Sequence, residues 1–396
     1  MSTKKTQRRR RRVRLPPAPL NPDRVRDFVK TVVGEDMHAA RVLSLGNAVA
    51  GTMHAASLCI HAIGQGLAAS RSRTRRHSVK QVDRLLSNAK LDVWDLLALW
   101  VPYVFGSRQE AVIALDWTEY AGDDQATIAA YLITTHGRAT PLAWKTVPKS
   151  SLKDRRNEYE DEIIVRLSET IPAGVQVTLL ADRGFGDQKL YEALMAMGWD
   201  FVIRFRDCIH VAHEGEAMPA AEWVAANGRA KKLKGARVTK DEFELPAVVL
   251  VKAPRMKEPW CLATTLAGLS SPTIIKLYGR RFTIEESFRD TKDIRFGLGL
   301  AATHIKDCAR RDRVLLIAAL AESLLKLLGA AGEALGYDRQ LKTSTSPKRQ
   351  LSLLRQGLIW YEFLPTMKED QARSLLLEFE KLILQQPLFT GAFGLL

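Results

Sequence analysis

Cysteine is scarce in this chain: four in 396 residues, Cys59, Cys208, Cys261 and Cys308, with no two close enough to form a Cys-x2-Cys pair. That spacing excludes a zinc-finger rhythm and offers no disulfide framework, so a reducing cytoplasm is the expected setting. The tightest candidate cluster is Cys208, His210 and His213, but strand alternation turns His213 to the opposite face from the other two. Long apolar runs are also missing. The longest in a helical pattern, Val314 to Ala321, ends at Glu322 and is too short to span a bilayer. The basic start runs into Leu15-Pro16-Pro17 rather than an apolar segment, so no secretion signal is expected. No internal repeat is found, which excludes a solenoid.

Acidic charge is missing from the start of the chain too. Residues 1 to 14 hold Lys4, Lys5, Arg8 to Arg12 and Arg14 and no acid, and they supply eight of the formal net +15. The body is therefore only mildly basic. A polycationic tail with no amphipathic helix behind it suits nucleic acid better than a membrane surface, a solubilising tail being the plainer alternative. The rest is ordinary: 46% hydrophobic and 26% charged residues indicate a folded protein, and the length allows two or three domains.

Pro16, Pro17, Pro19 and Pro22 read as an extended linker. Residues 1–22 are thus expected to be a basic disordered tail and linker, followed by a helical region over 23–105. Within it Arg73, Arg75 and Arg76 precede Ser78, which reads as the N-cap of a helix Val79 to Leu86 carrying Lys80 and Arg84. Cations at a helix entrance suit phosphate contacts, a solvated basic turn being the alternative.

From Glu110 the pattern changes to strands. Ala111 to Asp116, Thr127 to Thr135 and Pro141 to Val147 should form an antiparallel meander. A helix (Lys153 to Thr170), a strand (Val175 to Asp182), a helix (Asp187 to Met197) and a strand (Asp200 to Arg206) follow. Strand-like pieces around a Lys-rich middle then suggest a β-rich insertion. Helix resumes at Ser271 and dominates to the C-terminus, with a break at Thr343 to Pro347. The C-terminal helices, Val314 to Leu328 above all, read as core or as a subunit interface.

Two predicted strands end in aspartate, Asp116 and Asp182. If those strands are neighbours, their ends lie roughly 5 Å apart and both carboxylates reach one cation. Each alone reads equally as a turn starter. On the predicted helix Leu277 to Arg295, Tyr278, Arg281, Glu285 and Lys292 fall on one narrow stripe at about 100° per residue, while Glu286 falls outside it. Leu277, Ile284 and Phe288 make a neighbouring apolar stripe to pack on the sheet. A solvated ion-pair stripe is the alternative.

These residues resemble a known family. Residues 278 to 292 match Tyr-x2-Arg-x3-Glu-x6-Lys without a gap, and Asp182-Arg183-Gly184-Phe185, Glu258-Pro259-Trp260, Phe296-Gly297-Leu298-Gly299-Leu300 and Val82-Asp83-Arg84-Leu85-Leu86 add to the likeness. The chain resembles the insertion-sequence DDE transposases, in the cut-and-paste insertion-sequence-four family, nearest the transposon-ten type. The resemblance runs from about residue 24 to the end. It implies an α/β chain with an RNase H-like (retroviral integrase superfamily) catalytic core at 106–207 and 266–300. A β-strand insertion at 208–265 splits that core, which is flanked by the N-terminal DNA-end-binding helices and a C-terminal helical region at 301–396.

The resemblance also implies roles. Asp116, Asp182 and Glu285 would be the catalytic acids, holding two Mg²⁺ ions, or Mn²⁺ as a substitute; an all-carboxylate site has no soft ligands. Tyr278, Arg281 and Lys292 would grip phosphates, and Trp260 would stack on a flipped base, a core tryptophan being the alternative. Trp117 reads as packing. The expected partners are double-stranded DNA, as terminal inverted repeats and target, and a second copy in a synaptic dimer, with no membrane. A bacterial, nucleoid-associated protein is expected. Two other functions compete: an RNase H-like structure-specific nuclease without strand transfer, and a non-catalytic DNA-binding descendant of a transposase.

Overall fold

The computed structural model describes residues 20–34, 37–343, 345 and 347–384. The arginine-rich tail and the first three linker prolines therefore lie outside the described residues, as does part of the expected break at Thr343 to Pro347. Five helices open the described chain: α1 (Pro22–Val33), α2 (Ala39–Ala55), α3 (Ile60–Arg71), α4 (Arg75–Leu86) and α5 (Val93–Phe105). The Asn21 side chain accepts from the backbone N–H groups of Asp23 and Arg24 at 3.0 and 2.9 Å, and Pro22 takes the first helical position, where its missing N–H costs nothing. Leu20 is already buried.

One local expectation is corrected at α4. Ser78 is not its N-cap: the helix starts a turn earlier, after Thr74, and the Ser78 N–H donates to the Thr74 carbonyl at 3.1 Å. The Thr74 hydroxyl and the His77 ring meet at 2.8 Å across that turn, while the Ser78 side chain is buried and caps nothing. Gly64 of α3 lies so close to Val79 that a Cβ there would stand 2.5 Å from it, so the start of α4 is docked on α3. Arg75 and Arg76 then occupy the first turn with no acid beside them.

The meander follows as β1 (Glu110–Tyr120), β2 (Gln125–Ile133) and β3 (Ala139–Pro148). β1 does not stop at Asp116. It continues to Tyr120 because Trp117, Thr118, Glu119 and Tyr120 stay paired antiparallel with β2. After α6 (Arg156–Thr170), β4 (Gln176–Ala181) pairs parallel with β1 on the side away from β2; then α7 (Gln188–Ala196) leads to β5 (Asp200–Phe205), parallel to β4. Ala111 to Leu115 are all buried, an unbroken apolar run of the kind found where both faces of a strand are covered.

The insertion comprises β6 (His210–His213), β7 (Glu216–Pro219), β8 (Lys231–Val238), β9 (Phe243–Val251) and β10 (Trp260–Thr264). It does not form a separate sheet. β10 pairs antiparallel with both β5 and β9, so one sheet of ten strands runs β3-β2-β1-β4-β5-β10-β9-β8-β6-β7. The chain is a mixed α/β protein built on that sheet.

Helices α8 (Ser271–Gly279), α9 (Thr283–Lys292), α10 (Cys308–Ala334), α11 (Leu353–Phe363) and α12 (Glu369–Leu384) complete it. By length and composition α10 is long and apolar enough to cross a membrane, contrary to the expectation of a run ending at Glu322. The run continues because Glu322 pairs with Lys326 one turn on, at 3.0 Å, and accepts from the Thr291 hydroxyl at 2.7 Å. Yet 89% of its most apolar window is buried inside the protein, against α2, α11, α12 and β3. Its approach to α11 is so close that a Cβ on Gly357 would meet the Leu325 carbonyl at 1.8 Å.

On the face of β1 away from α9, the Trp117 indole N–H donates to buried Glu160 of α6 at 2.8 Å. Burial pushes that carboxyl up to about 7, against the opposing pull of Trp117 and Arg156. A carboxyl raised from 4.5 holds its proton longer folded than unfolded, so its contribution to stability is lost as pH rises through about 7. Glu160→Gln keeps the acceptor for Trp117 and should raise stability at pH 8.5 by roughly 1–3 kcal/mol while changing little at pH 5. Urea unfolding at the two pH values checks this; an equal effect at both would show that ionisation of Glu160 is not the cause.

Candidate active site

β1 and β4 form their last pair at Leu115 and Ala181. The next residue along each is an aspartate, so Asp116, within β1, and Asp182, just past the carboxyl end of β4, stand side by side where the parallel pairing stops, the side of open α/β sheets that binds ligands. Asp182 keeps extended backbone before the chain turns into the short 3-10 stretch Arg183–Phe185.

The third acid comes from α9. The expected single helix over Leu277 to Arg295 is corrected to two: a 3-10 turn, Arg280–Phe282, separates α8 from α9, and helix ends at Lys292. Asp293 stops it, accepting from the N–H groups of Arg295 and Phe296 at 2.7 Å each. The chain then returns so tightly that a Cβ on Gly297 would lie 1.9 Å from the Asp290 carbonyl.

Arg281, on the 3-10 turn, is the hub. Its side chain is only 4% exposed; Nη1 donates to Asp116 Oδ2 at 2.8 Å and Nη2 to Glu285 Oε1 at 2.9 Å. Buried Tyr278 donates its hydroxyl to Asp182 Oδ1 at 3.2 Å. Lys292 donates to the Thr118 hydroxyl at 3.0 Å and the Glu119 carbonyl at 2.8 Å, on the same strand as Asp116. Four residues of the sequence pattern thus line the ends of β1 and β4. Glu286 turns elsewhere, to Arg289 at 3.1 Å and Arg138 at 3.7 Å. Half-buried Trp260, the first residue of β10, meets Tyr278 edge-on, ring centroids 4.8 Å apart.

Electrostatics follow from this crowding. Burial pushes the Asp116 carboxyl up to about 6, with Glu285 and Asp182 adding to the rise and Arg281 and the Trp117 N–H opposing it. Burial alone would lower the Arg281 guanidinium, but Tyr278, Asp116, Asp182 and Glu285 together hold it above its ordinary value. For Tyr278 burial comes first and Asp182 second, and both raise it.

Among the described residues no group of three or more His, Cys, Asp or Glu side chains is arranged to hold a metal ion. The donor chemistry nevertheless fits one. Asp116 and Glu285 already share a positive charge, with the guanidinium as a stand-in cation, and all three acids offer only hard oxygen donors, as Mg²⁺ requires.

The site also recruits residues that the sequence pattern did not single out. Arg204 of β5 lies 3.8 Å from Asp182 and donates to Glu258 at 2.8 Å and to the Pro259 carbonyl at 3.2 Å; Arg183 reaches the same Glu258 at 2.9 Å. These contacts tie the loop before Trp260 to Asp182. An arginine among Phe201, Val202, Ile203 and Phe205 was the available signal. By contrast Arg73, Arg75, Arg76, Lys80 and Arg84 are exposed on α4 and the turn before it, outside this carboxylate group. Cys208 is exposed and belongs to no metal cluster among the described residues.

Residues 148–321 match the transposase DDE domain family. The match supports a DDE transposase, an enzyme class that acts on DNA and generally uses divalent metals. It takes in Asp182, Trp260 and the stripe from Tyr278 to Lys292, and it begins after Asp116. A comparison with curated proteins finds no match.

α9 is held at the strand ends by buried polar contacts. Ser287 Oγ accepts from the Ala139 N–H at 2.7 Å, Asp290 pairs with Arg138 at 2.8 Å, and Phe288 packs edge-on against Tyr131. Asp290→Ala leaves Arg138 without its main partner and should cost about 1–3 kcal/mol. Chemical denaturation measures this, and an unchanged midpoint would show that the pair does not hold α9.

Proposed function

We propose that the protein is a cut-and-paste DNA transposase with an RNase H-like core. In this reading it binds terminal inverted repeats, cleaves at the transposon ends with Asp116, Asp182 and Glu285, and joins the freed 3′-hydroxyls to target DNA. The supporting observation is that Asp116 and Asp182 are neighbours where the pairing of β1 with β4 ends, with Glu285 tied to Asp116 through one guanidinium. The likeness to the insertion-sequence-four family, nearest the transposon-ten type, gives the substrate.

Asp116, Asp182 and Glu285 would hold two divalent cations, Mg²⁺ or Mn²⁺. When bound, such ions supply Lewis-acid chemistry at the scissile phosphate. The chain's own residues orient and hold. Arg281 and Lys292 keep the phosphodiester in line and balance charge as it builds on the phosphate oxygens, and Tyr278 fixes Asp182 through its hydroxyl. Trp260 offers a partly open ring for a base flipped from the duplex, and stacking of that kind contributes roughly 1–3 kcal/mol. A hairpin intermediate follows from that reading. Arg73, Arg75, Arg76, Lys80 and Arg84 grip the end duplex. Cations in the first turn of α4 face the positive end of its dipole, so a phosphate there relieves repulsion. Two ends must be handled together, which calls for a homodimeric synaptic complex of a nucleoid-associated, cytoplasmic protein.

Incubating the protein with a labelled duplex carrying the terminal repeat, in Mg²⁺ or in EDTA, should give cutting at the repeat boundary only with Mg²⁺, followed by hairpin or joined products. Glu285→Gln should lose cleavage by about a hundredfold or more while still retarding the duplex in a gel. Cleavage surviving in that variant would refute the assignment. Cut DNA that is never joined would point to a nuclease, and binding without cutting to a non-catalytic descendant.

A further inference from the structure

The hub of the site makes contacts that its role as a phosphate clamp does not explain. Arg281 is buried and spends both terminal nitrogens on acids, Nη1 on Asp116 and Nη2 on Glu285, where a catalytic cation would have to sit. Its third nitrogen is orphaned: Nε is buried and finds no hydrogen-bond partner among the described residues. A guanidinium with one buried donor unsatisfied is not in its best-solvated or best-paired position. Arg281 also sits on a 3-10 turn between two helices, with its guanidinium over the ring of Phe282 at 4.7 Å.

We propose that Arg281 is the resting counter-ion of the active site: it holds a cation's place between Asp116 and Glu285 until a DNA phosphate draws the guanidinium away, so that metal loading depends on DNA. The proposal rests on the reading of those acids as metal ligands. One hydrogen bond to each of the two carboxylates gives them a shared counter-charge and closes the DNA-free site to divalent ions. A phosphate can take two guanidinium nitrogens at once in a fork, and with Nε also free to donate, the guanidinium can satisfy more of its donors there. Once it leaves, Asp116 and Glu285 face each other without a counter-charge, and the affinity for a divalent cation rises. The coupling is reciprocal, so metal raises DNA affinity by the same factor. The device would keep the enzyme from hydrolysing phosphodiesters before a duplex is seated.

The test is Mn²⁺ binding to the full-length protein, followed by paramagnetic resonance of the free ion, with and without a short blunt duplex whose own Mn²⁺ uptake is subtracted. Wild type should bind Mn²⁺ roughly tenfold more tightly with the duplex than without it, a typical coupling. Arg281→Gln alone should already bind about as tightly as the wild-type complex, and the duplex should add less than about threefold. Should that variant fold only with metal, Arg281→Lys serves in its place, since one ammonium cannot span both acids and the gain from DNA should again shrink. Equal wild-type affinity with and without DNA, or a variant indistinguishable from wild type in both states, overturns the proposal and leaves the ligands standing. If Asp116→Asn in the presence of duplex binds as much Mn²⁺ as wild type, the ligand assignment fails and the proposal with it.

Discussion

Two acids that face one another at close range need a cation between them, and here the cation is a buried side chain. Arg281 satisfies that constraint, and much of the architecture positions its partners. The parallel pairing of β1 with β4 brings Asp116 level with Asp182, and the 3-10 turn sets Arg281 one helical turn before Glu285. Tyr278 and Arg204 take up Asp182 from the other side. Burial raises the affinity of Asp116 for a proton, with Glu285 and Asp182 adding to the rise, and Arg281 pulls the other way.

Around this hub the protein uses buried polar pairs to fix the order of its layers. α10 is the spine. Fully buried Arg311 engages Asp123 and Gln125 at the β1–β2 connection and stacks over Tyr120 at 3.8 Å, while Arg313 caps the last carbonyls of α4 through Leu86 and serves Leu91 as well. Glu322 holds Thr291 of α9. One helix thus links the basic N-terminal helices, the meander and the helix that carries Glu285. An α10 long and apolar enough for a bilayer keeps four charged residues buried, and each has a polar partner within the protein.

Much of this was legible in the sequence. Short apolar runs bounded by turns marked β1 to β5, and the alternation of strand and helix marked their order. Boundaries were less legible: β1 runs on to Tyr120 because pairing with β2, not hydrophobicity, carries it past Asp116. Ser78 looked like a cap because residue type alone does not report that its side chain is buried inside the helix rather than free to cap it. The separation of Glu285 from Glu286 was visible from helical geometry alone. Arg204, the bridging pose of Arg281 and the merging of the insertion into the central sheet were not, because each depends on which strands become neighbours in space. Spacing along a helix can nominate an arginine but cannot say whether it faces a carboxylate or a phosphate.

The most direct measurement is a crystal structure of the protein with duplex DNA in Mn²⁺, read for anomalous scattering. The account predicts an anomalous peak among Asp116, Asp182 and Glu285, with the Arg281 guanidinium moved from between the acids onto a backbone phosphate. DNA seated at the strand ends with Arg281 still bridging Asp116 and Glu285, and no peak beside them, would contradict it.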